Sequence, residues 1–163
     1  MGKPVAMELI KTLKTAVKTT IDTAGVDAAI EVCNVKAIPL THGVESRQQG
    51  ELDIKRTSFK YRNPENAPNE YEMIALNHYK ALINQGEELP PFYTQKIVNE
   101  GDTMYYYYKP MKVAALCVVC HGDKEIIPKD VASRLDELYP DDKATGYKEG
   151  DFRGLIRVKF TSL

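Results

Sequence analysis

The sequence predicts a single α+β domain over residues 1–163, and three observations support this prediction. Its 163 residues are 43% hydrophobic, which is enough to bury one core and gives no sign of a second. Segments with helical periodicity come first, over residues 5–38. Segments with the alternation of β-strands follow within residues 50–163, and helices placed ahead of an antiparallel sheet are typical of the α+β class.

Two long helices are predicted at the amino end. Residues 5–21 carry one apolar stripe on an otherwise lysine-rich segment, formed by Leu9, Ile10, Leu13, Val17 and Ile21. Gly25 interrupts this pattern, and a second helix is predicted from about Val26 to Ile38, ending before Pro39. The spacing of its apolar residues places Cys33 in the middle of the stripe that faces the interior.

The middle of the chain alternates between strand and helix. Residues 52–59 are predicted to form a strand, and the loop after it is rich in proline and asparagine. A third helix is predicted from about Tyr71 to Gln85, because Gly86 and two prolines follow it. Strands are then predicted over residues 92–99 and 103–109, joined as a hairpin through Glu100 and Gly101.

The carboxyl end is predicted to close the sheet. Pro128 opens a short helix that bears Val131, Leu135 and Leu138. The last strand, "LIRVKF", alternates in polarity, which places Ile156, Val158 and Phe160 inward and Arg157 and Lys159 outward.

The distribution of charge argues against nucleic acid as a partner. The 22 basic and 23 acidic side chains nearly cancel, and they are interspersed, so no basic stripe is present.

No apolar run approaches the roughly 20 residues that span a bilayer. The amino end also lacks the uninterrupted apolar segment of a signal peptide.

The segment "CVVCHG" at residues 117–122 carries the clearest chemistry in the chain. Two cysteines separated by two residues and followed by histidine form the c-type heme attachment pattern. Each thiol of Cys117 and Cys120 can add to one vinyl group of a porphyrin, and the imidazole of His121 then reaches the iron as an axial ligand. The pattern therefore predicts one covalent heme c.

Three other uses of these cysteines remain open. A structural zinc site needs four ligands, but no second pair of ligands is present, and His42 and His78 lie far apart. A thioredoxin-like dithiol opens a helix, whereas the residues before Cys117 have the pattern of a strand. A disulfide between Cys117 and Cys120 would leave His121 unexplained.

Four blocks of the sequence together resemble a known family. They are "AAIEVCNVKA", "KRTSFKYRNPENAPNEYE", "YYYYKPMKVAALCVVCHG" and "ATGYKEGDFRGLIRV", and they cover most of residues 26–160. They are similar to the exported, heme c-bearing PAS-like sensor domain that occurs alone and in membrane-bound signalling proteins. The resemblance implies a PAS-like antiparallel sheet flanked by helices, one covalent heme c, and sensing of redox state or of a small ligand.

The resemblance also gives the third cysteine a role. Spacing alone favours Cys33 as a packed core residue. In the family, however, the cysteine of the "VCN" block is the second axial ligand, which implies that Cys33 binds the iron on the face opposite His121. An anionic thiolate stabilises ferric iron, so release of Cys33 on reduction would offer a switch. The competing ligands are Met104, Met111, His42 and His78, and an open position is a further alternative.

Two arginines are candidate partners of the heme propionates. Guanidinium groups match carboxylates in a bidentate way, and Arg56 and Arg62 lie in the second of the four blocks. Ordinary surface or loop-fixing charge is the alternative role for both residues.

A heme-based sensor is the predicted function, and a small low-potential electron-transfer cytochrome is the alternative. No acid–base constellation supports an enzyme. The expected partner is a small ligand or a redox-partner protein. Because thioether attachment takes place outside the cytoplasm, we expect a periplasmic or other extracytoplasmic location. We therefore also expect the native protein to carry an export signal, and a membrane anchor is a further expectation for the region ahead of this domain.

Overall fold

A four-stranded antiparallel sheet forms the centre of the computed structural model, which describes residues 1–99 and 102–161. The strands lie in the order β1-β4-β3-β2, and they are β1 (Leu52–Thr57), β2 (Tyr93–Asn99), β3 (Asp102–Lys112) and β4 (Phe152–Thr161). All four predicted strands are therefore present. The turn predicted at Glu100 and Gly101 lies outside the described residues.

Helices cover both faces of this sheet. They are α1 (Gly2–Glu31), α2 (Ala37–Glu45), α3 (Glu70–Asn84), α4 (Ala115–His121) and α5 (Lys129–Leu138). Residues of α1 and α2 form a core with one face of the sheet, and residues of α3 form a second core with the other face. This arrangement confirms the α+β class and the expected PAS-like sheet flanked by helices.

The amino-terminal helices differ from the prediction at Pro39. Gly25 does break α1, with a φ of 85° and a ψ of 177°, and the helical path then continues through a π-helix at Val32–Lys36 into α2. The predicted end before Pro39 is wrong, because Pro39 falls in the first turn of α2, where a backbone N–H is least needed. Cys33 lies within the π-helix, a wider turn that is frequent at functional sites.

The two faces of β4 pack against different helices. Ile156 and Val158 lie in the core shared with α1, as predicted, whereas Leu155 lies in the core shared with α3. Arg157, which was expected to point outward, is only 5% exposed and pairs with Glu72 of α3. The prediction failed there because both faces of the sheet are covered.

The heme-attachment pattern lies on a helix of its own. Strand β3 ends at Lys112, and α4 begins at Ala115 and ends with His121. The residues just before Cys117 are therefore helical, although the sequence suggested that the strand continued. Helices α3 and α5 lie where the sequence predicted them, the first with an asparagine capping box and the second directly after Pro128.

Over the described residues, none of the helices combines the length and the apolar character that a bilayer crossing requires.

Candidate cofactor-binding site

A cavity of about 600 Å³ lies between α1, the sheet and α4. This volume is within the range of cofactor and ligand sites, roughly 300–1,000 Å³. Helix α1 supplies one apolar wall with Ile10, Leu13 and Val17, which belong to the stripe that the sequence predicted. Leu116 of α4 and Ile156 of β4 add further apolar surface. The cavity can therefore accept a large, mostly apolar group.

His121 lines this cavity at the end of α4. Its Nδ1 lies 2.7 Å from the carbonyl oxygen of Ala144, and a carbonyl can only accept, so Nδ1 carries the proton. Burial lowers the pKa of His121 well below 6.5, and the charges of Arg153 and Arg62 lower it further. The ring is therefore neutral, and Nε2 keeps the lone pair that a metal ion requires.

The loop after α5 fixes the backbone of α4 as well as the imidazole. The N–H of Gly146 donates to the carbonyl of Gly122 at 2.7 Å, and the N–H of Tyr147 donates to the carbonyl of His121 at 2.9 Å. The Tyr147 ring also meets the His121 ring edge to face, with 6.4 Å between centroids. These contacts hold His121 in one orientation toward the cavity.

The three cysteines are unpaired and half-buried. Cys117 and Cys33 both line the cavity, whereas Cys120 packs beside Ile30 and Val131 in a core between α1 and α5. Burial raises the pKa of Cys33, although the charge of Arg56 opposes this shift. Burial likewise raises the pKa of Cys120 to about 11. The thiols of Cys33 and Cys120 are therefore protonated at neutral pH in the absence of a bound group.

The structure brings Cys33, Cys117 and His121 to one cavity, although Cys33 comes from a distant part of the sequence. Among the competing ligands, Met111 also lines the cavity, and Met7, which the sequence did not single out, does so too.

The other three competitors lie elsewhere. His42 is exposed on α2, and the His78 ring stacks on Tyr93 with 4.5 Å between centroids. Met104 packs against the core of α3. The sequence-based set of competitors thus reduces to Met111, with Met7 as an addition.

Both predicted arginines lie in the cavity wall. Arg62 is buried and pairs with Asp142 at 2.9 Å. Arg56 is half-buried, and no ion pair or hydrogen bond joins its guanidinium to another described side chain. Arg153, to which the sequence assigns no role, also lines the cavity, where Ser58 and the carbonyl of Lys60 accept its hydrogen bonds.

The charged residues that line the cavity are all basic within the part of the chain that the structure describes. They are Lys14, Arg56, Arg62, Lys109, Lys112 and Arg153. Burial lowers the pKa of Arg56 and of Arg153, because their charges are partly removed from water. The cavity is therefore suited to a group that carries negative charge on part of its surface.

The consecutive tyrosines of β3 pack in the cores on the two faces of the sheet. Tyr107 packs in the core of α1, Tyr106 and Tyr108 pack in the core of α3, and Tyr105 stacks on Phe160 at 5.8 Å. Aromatic surface in the cavity comes instead from Tyr61 and Tyr139, which the sequence did not single out.

Other uses of the cysteines gain no support from the geometry. Residues 1–99 and 102–161 contain no group of three or more His, Cys, Asp or Glu side chains placed to hold a metal ion, as a zinc site would need. Cys117 and Cys120 form no disulfide.

Comparisons with known proteins agree with the four sequence blocks. The cyanobacterial heme protein Tll0287 has a solved structure that matches with a TM-score of 0.61 and 24% identity, covering 98% of this chain and 92% of that one. This likeness shows the fold. No curated protein matches the chain. The model of the Tll0287-like family matches residues 3–161, nearly the whole sequence. The chain therefore belongs to the Tll0287-like family.

Proposed function

We propose that this chain binds one covalent heme c and acts as a sensor of redox state or of a small ligand. The observation that carries the proposal is the convergence of Cys117, His121 and Cys33 on one cavity with apolar walls and basic side chains. A heme is an apolar macrocycle with two carboxylates, so the chemistry of the cavity fits it. The similar solved structure is described as a heme protein, which gives further support.

Helix α4 supplies the covalent attachment. Cys117 and Cys120 are three residues apart, so they lie on neighbouring positions of one helical turn. The two thiols would hold the vinyl groups of a heme c through thioethers, next to His121. His121 coordinates through Nε2, because its Nδ1 proton is held by the carbonyl of Ala144.

Cys33 would hold the iron of a bound heme together with His121. Cys33 lines the cavity from the π-helix, and the charge of Arg56 opposes the rise that burial causes in the pKa of Cys33. A thioether from Met111 or Met7 is the competing ligand.

The rest of the cavity excludes water and balances charge. Ile10, Leu13 and Val17 cover the group with apolar surface, and Arg56 and Arg153 neutralise its carboxylates. A bound heme supplies one-electron redox chemistry. We assign no enzymatic activity to the chain, and we expect it to be exported, because thioethers of this kind are formed outside the cytoplasm.

Sensing is favoured by the position of Cys33 in the backbone. Gly25 breaks α1 on one side of it, and the π-helix gives way to α2 on the other. A change in what the sulfur of Cys33 binds would therefore act on a short helical segment between two irregular points. Such a segment can rearrange while the sheet and α3 stay in place.

A low-potential electron-transfer cytochrome is the second candidate. The observation that favours it is the set of lysines at the cavity, Lys14, Lys109 and Lys112, of which the first and the last are exposed. Exposed charges near a redox group steer the approach of a partner protein.

Attachment and ligation can be tested on protein produced with heme c maturation machinery. We expect heme that resists extraction with acidified ketone, and loss of this resistance in a Cys117→Ser/Cys120→Ser double variant. The ferric electron paramagnetic resonance spectrum should show a low-spin, thiolate-ligated heme that Cys33→Ala abolishes. Met111→Leu is the matched control, because Met111 lines the same cavity. A spectrum that responds to Met111→Leu and not to Cys33→Ala would assign the ligand to the methionine.

Amide hydrogen exchange separates the sensor from the carrier. We expect residues 26–36 to exchange at different rates in the ferric and ferrous proteins, and the difference to vanish in Cys33→Ala. Equal exchange in both redox states of the unmodified protein would leave the electron carrier as the better description.

A further inference from the structure

Arg62 and Asp142 form a buried ion pair behind the imidazole of His121. Their side chains are 8% and 6% exposed, Oδ2 of Asp142 accepts a hydrogen bond from Nε at 3.0 Å, and Nη2 lies 2.9 Å from the same oxygen. The other carboxylate oxygen accepts from the N–H of Ala144 at 2.8 Å. Arg62 therefore binds Asp142, and Asp142 in turn binds the backbone N–H of Ala144.

The Arg62 guanidinium also contacts two backbone carbonyls near His121. Its Nη2 donates to the carbonyl of Cys120 at 2.6 Å, and it lies 3.4 Å from the carbonyl oxygen of Ala144. The Cys120 carbonyl belongs to α4, next to His121, and the Ala144 carbonyl is the acceptor of the imidazole Nδ1 proton. One planar group thus connects the helix that carries His121 to the loop that orients its ring.

These contacts occupy Nε and Nη2 of Arg62 and direct them toward protein atoms. Nε and Nη2 are bound to Asp142 and to backbone carbonyls, although the side chain also reaches the cavity wall. Arg56 differs, since no hydrogen bond or ion pair joins it to another described side chain. The two arginines that the sequence treated alike therefore have different environments.

We propose that Arg62 is a positioning residue for His121, which fixes the Ala144 carbonyl through Asp142 and so sets the orientation and electron donation of the imidazole. This inference rests on the proposed function, since it assigns His121 to the iron. It gives Arg62 a place in the shell of groups around His121 beside its candidate role as a propionate partner. Groups in such a shell orient a ligand and tune its basicity, and their loss costs about 10- to 100-fold in metal affinity or activity.

Three variants test whether Arg62 acts by positioning His121 or only through its charge. Arg62→Lys keeps the charge but lacks the planar fork, so it cannot hold Asp142 and the Cys120 carbonyl together. Arg62→Gln/Asp142→Asn leaves the net charge unchanged and keeps a foldable protein should a single substitution at the buried pair prevent folding. Lys14→Gln removes a cavity charge at a residue outside the shell of His121.

The readouts are the ferric electron paramagnetic resonance spectrum and the reduction potential of the heme-loaded protein. We expect Arg62→Lys and the double variant to broaden the spectrum, because the imidazole no longer has one orientation. We expect the potential of the double variant to rise by about 59 mV, which corresponds to a tenfold loss of preference for the ferric state. Lys14→Gln should leave the width of the spectrum unchanged.

Two results would overturn the inference. One is an Arg62→Lys spectrum identical to that of the unmodified protein. The other is equal broadening in Lys14→Gln, since either result would reduce Arg62 to a cavity charge.

A third readout does not depend on heme. In the double variant, the amides of Gly146 and Tyr147 should lose protection from hydrogen exchange, because the loop that binds α4 is no longer held. Unchanged protection there would also count against the role of Arg62. Failure of the unmodified protein to bind heme would instead overturn the proposed function, and this amide measurement would still test the contact between the loop and α4.

Discussion

Glu72 and Arg157 form an ion pair across the interface between α3 and the sheet, with 3.1 Å between the carboxylate Oε1 and Nε. The Glu72 side chain has no exposed surface. Its other oxygen accepts from Nζ of Lys55 at 2.9 Å and from the N–H of Asn69 at 3.0 Å. One carboxylate therefore joins the first turn of α3 to strands β1 and β4.

Replacing this carboxylate should destabilise the fold strongly. Glu72→Gln leaves the buried charge of Arg157 with only Asp53, whose side chain is 57% exposed, as its carboxylate partner at 2.8 Å. Breaking a buried pair in this way costs about 3–5 kcal/mol. We expect a loss of about 3 kcal/mol in the free energy of unfolding, measured by urea denaturation.

The control for Glu72→Gln is Glu137→Gln, which removes a surface pair with Arg134 at 2.7 Å. Exposed pairs contribute about 0–1 kcal/mol, so this variant should change stability little. Similar losses in the two variants would show that the buried network contributes no more than a surface pair.

Gly154 of β4 lies where no side chain fits. Its φ is 143°, and an added Cβ would lie 2.3 Å from the carbonyl oxygen of Thr57 on β1. Gly154→Ala should therefore destabilise the protein by at least about 2 kcal/mol through strain and displacement of the strand. Thermal unfolding checks this value.

Gly43 of α2 offers the matched control for Gly154. The nearest atom to an added Cβ is Nη1 of Arg47 at 3.7 Å, which is ordinary contact. Gly43→Ala should stabilise the protein by about 0.5–1 kcal/mol, because alanine favours helix more than glycine does. Loss of stability in both variants would contradict the steric explanation for Gly154.

Local patterns in the sequence predicted the elements of this fold well. Apolar spacing identified α1, α3 and α5, and alternation identified the four strands. The side of β4 on which Arg157 lies was predicted correctly, but its burial was not. Burial there depends on α3, which packs on the second face and whose Glu72 is remote in sequence. Periodicity within one strand contains no information about what covers its other face.

The residues of the site likewise divide into those that local spacing predicts and those whose contacts are remote in sequence. The spacing of Cys117, Cys120 and His121 is local, so the sequence revealed it directly. The contacts of Arg62 are not local, because its partner Asp142 is 80 residues away. The resemblance implies that Cys33 binds the iron, and the structure places it at the same cavity as His121. The widened π turn that carries Cys33 left no signal in the apolar pattern.

Alkaline pH should weaken the fold through the buried phenol of Tyr79. Burial raises the pKa of Tyr79 above its usual value of 10, so the folded protein keeps this proton while the unfolded chain releases it. Above pH 10 the unfolded state therefore binds fewer protons, and stability falls as the pH rises. The slope is at most about 1.4 kcal/mol per pH unit for one such group.

Tyr79→Phe tests this slope. The variant removes the titrating group and a 3.3 Å hydrogen bond to the carbonyl of Pro90, so it should lower stability slightly at pH 8 and reduce the fall above pH 10. Urea denaturation at several pH values measures both effects. A slope that is unchanged in Tyr79→Phe would show that other groups account for the alkaline loss.

Electron exchange with small complexes should depend on the charge of the complex. Lys14 and Lys112 are exposed at the cavity, and neither lies within 4.0 Å of a carboxylate among the described residues. A local positive field attracts anions even though the net charge of the chain is −1. Lys112→Glu should therefore slow oxidation of the reduced, heme-loaded protein by hexacyanoferrate(III) about tenfold at low ionic strength.

The same substitution should speed oxidation by the cationic hexaammineruthenium(III), because the sign of the local field favours the opposite charge. Both effects should disappear near 1 M salt, where charges are screened over about 3 Å. Lys129→Glu on α5 is the control, since Lys129 is exposed but does not line the cavity. Equal changes in the two variants would mean that net charge, and not the lysines at the cavity, governs the approach of the oxidant. Opposite responses to the two complexes in Lys112→Glu alone would locate electron exchange at the cavity, because only a field centred there distinguishes the two lysines.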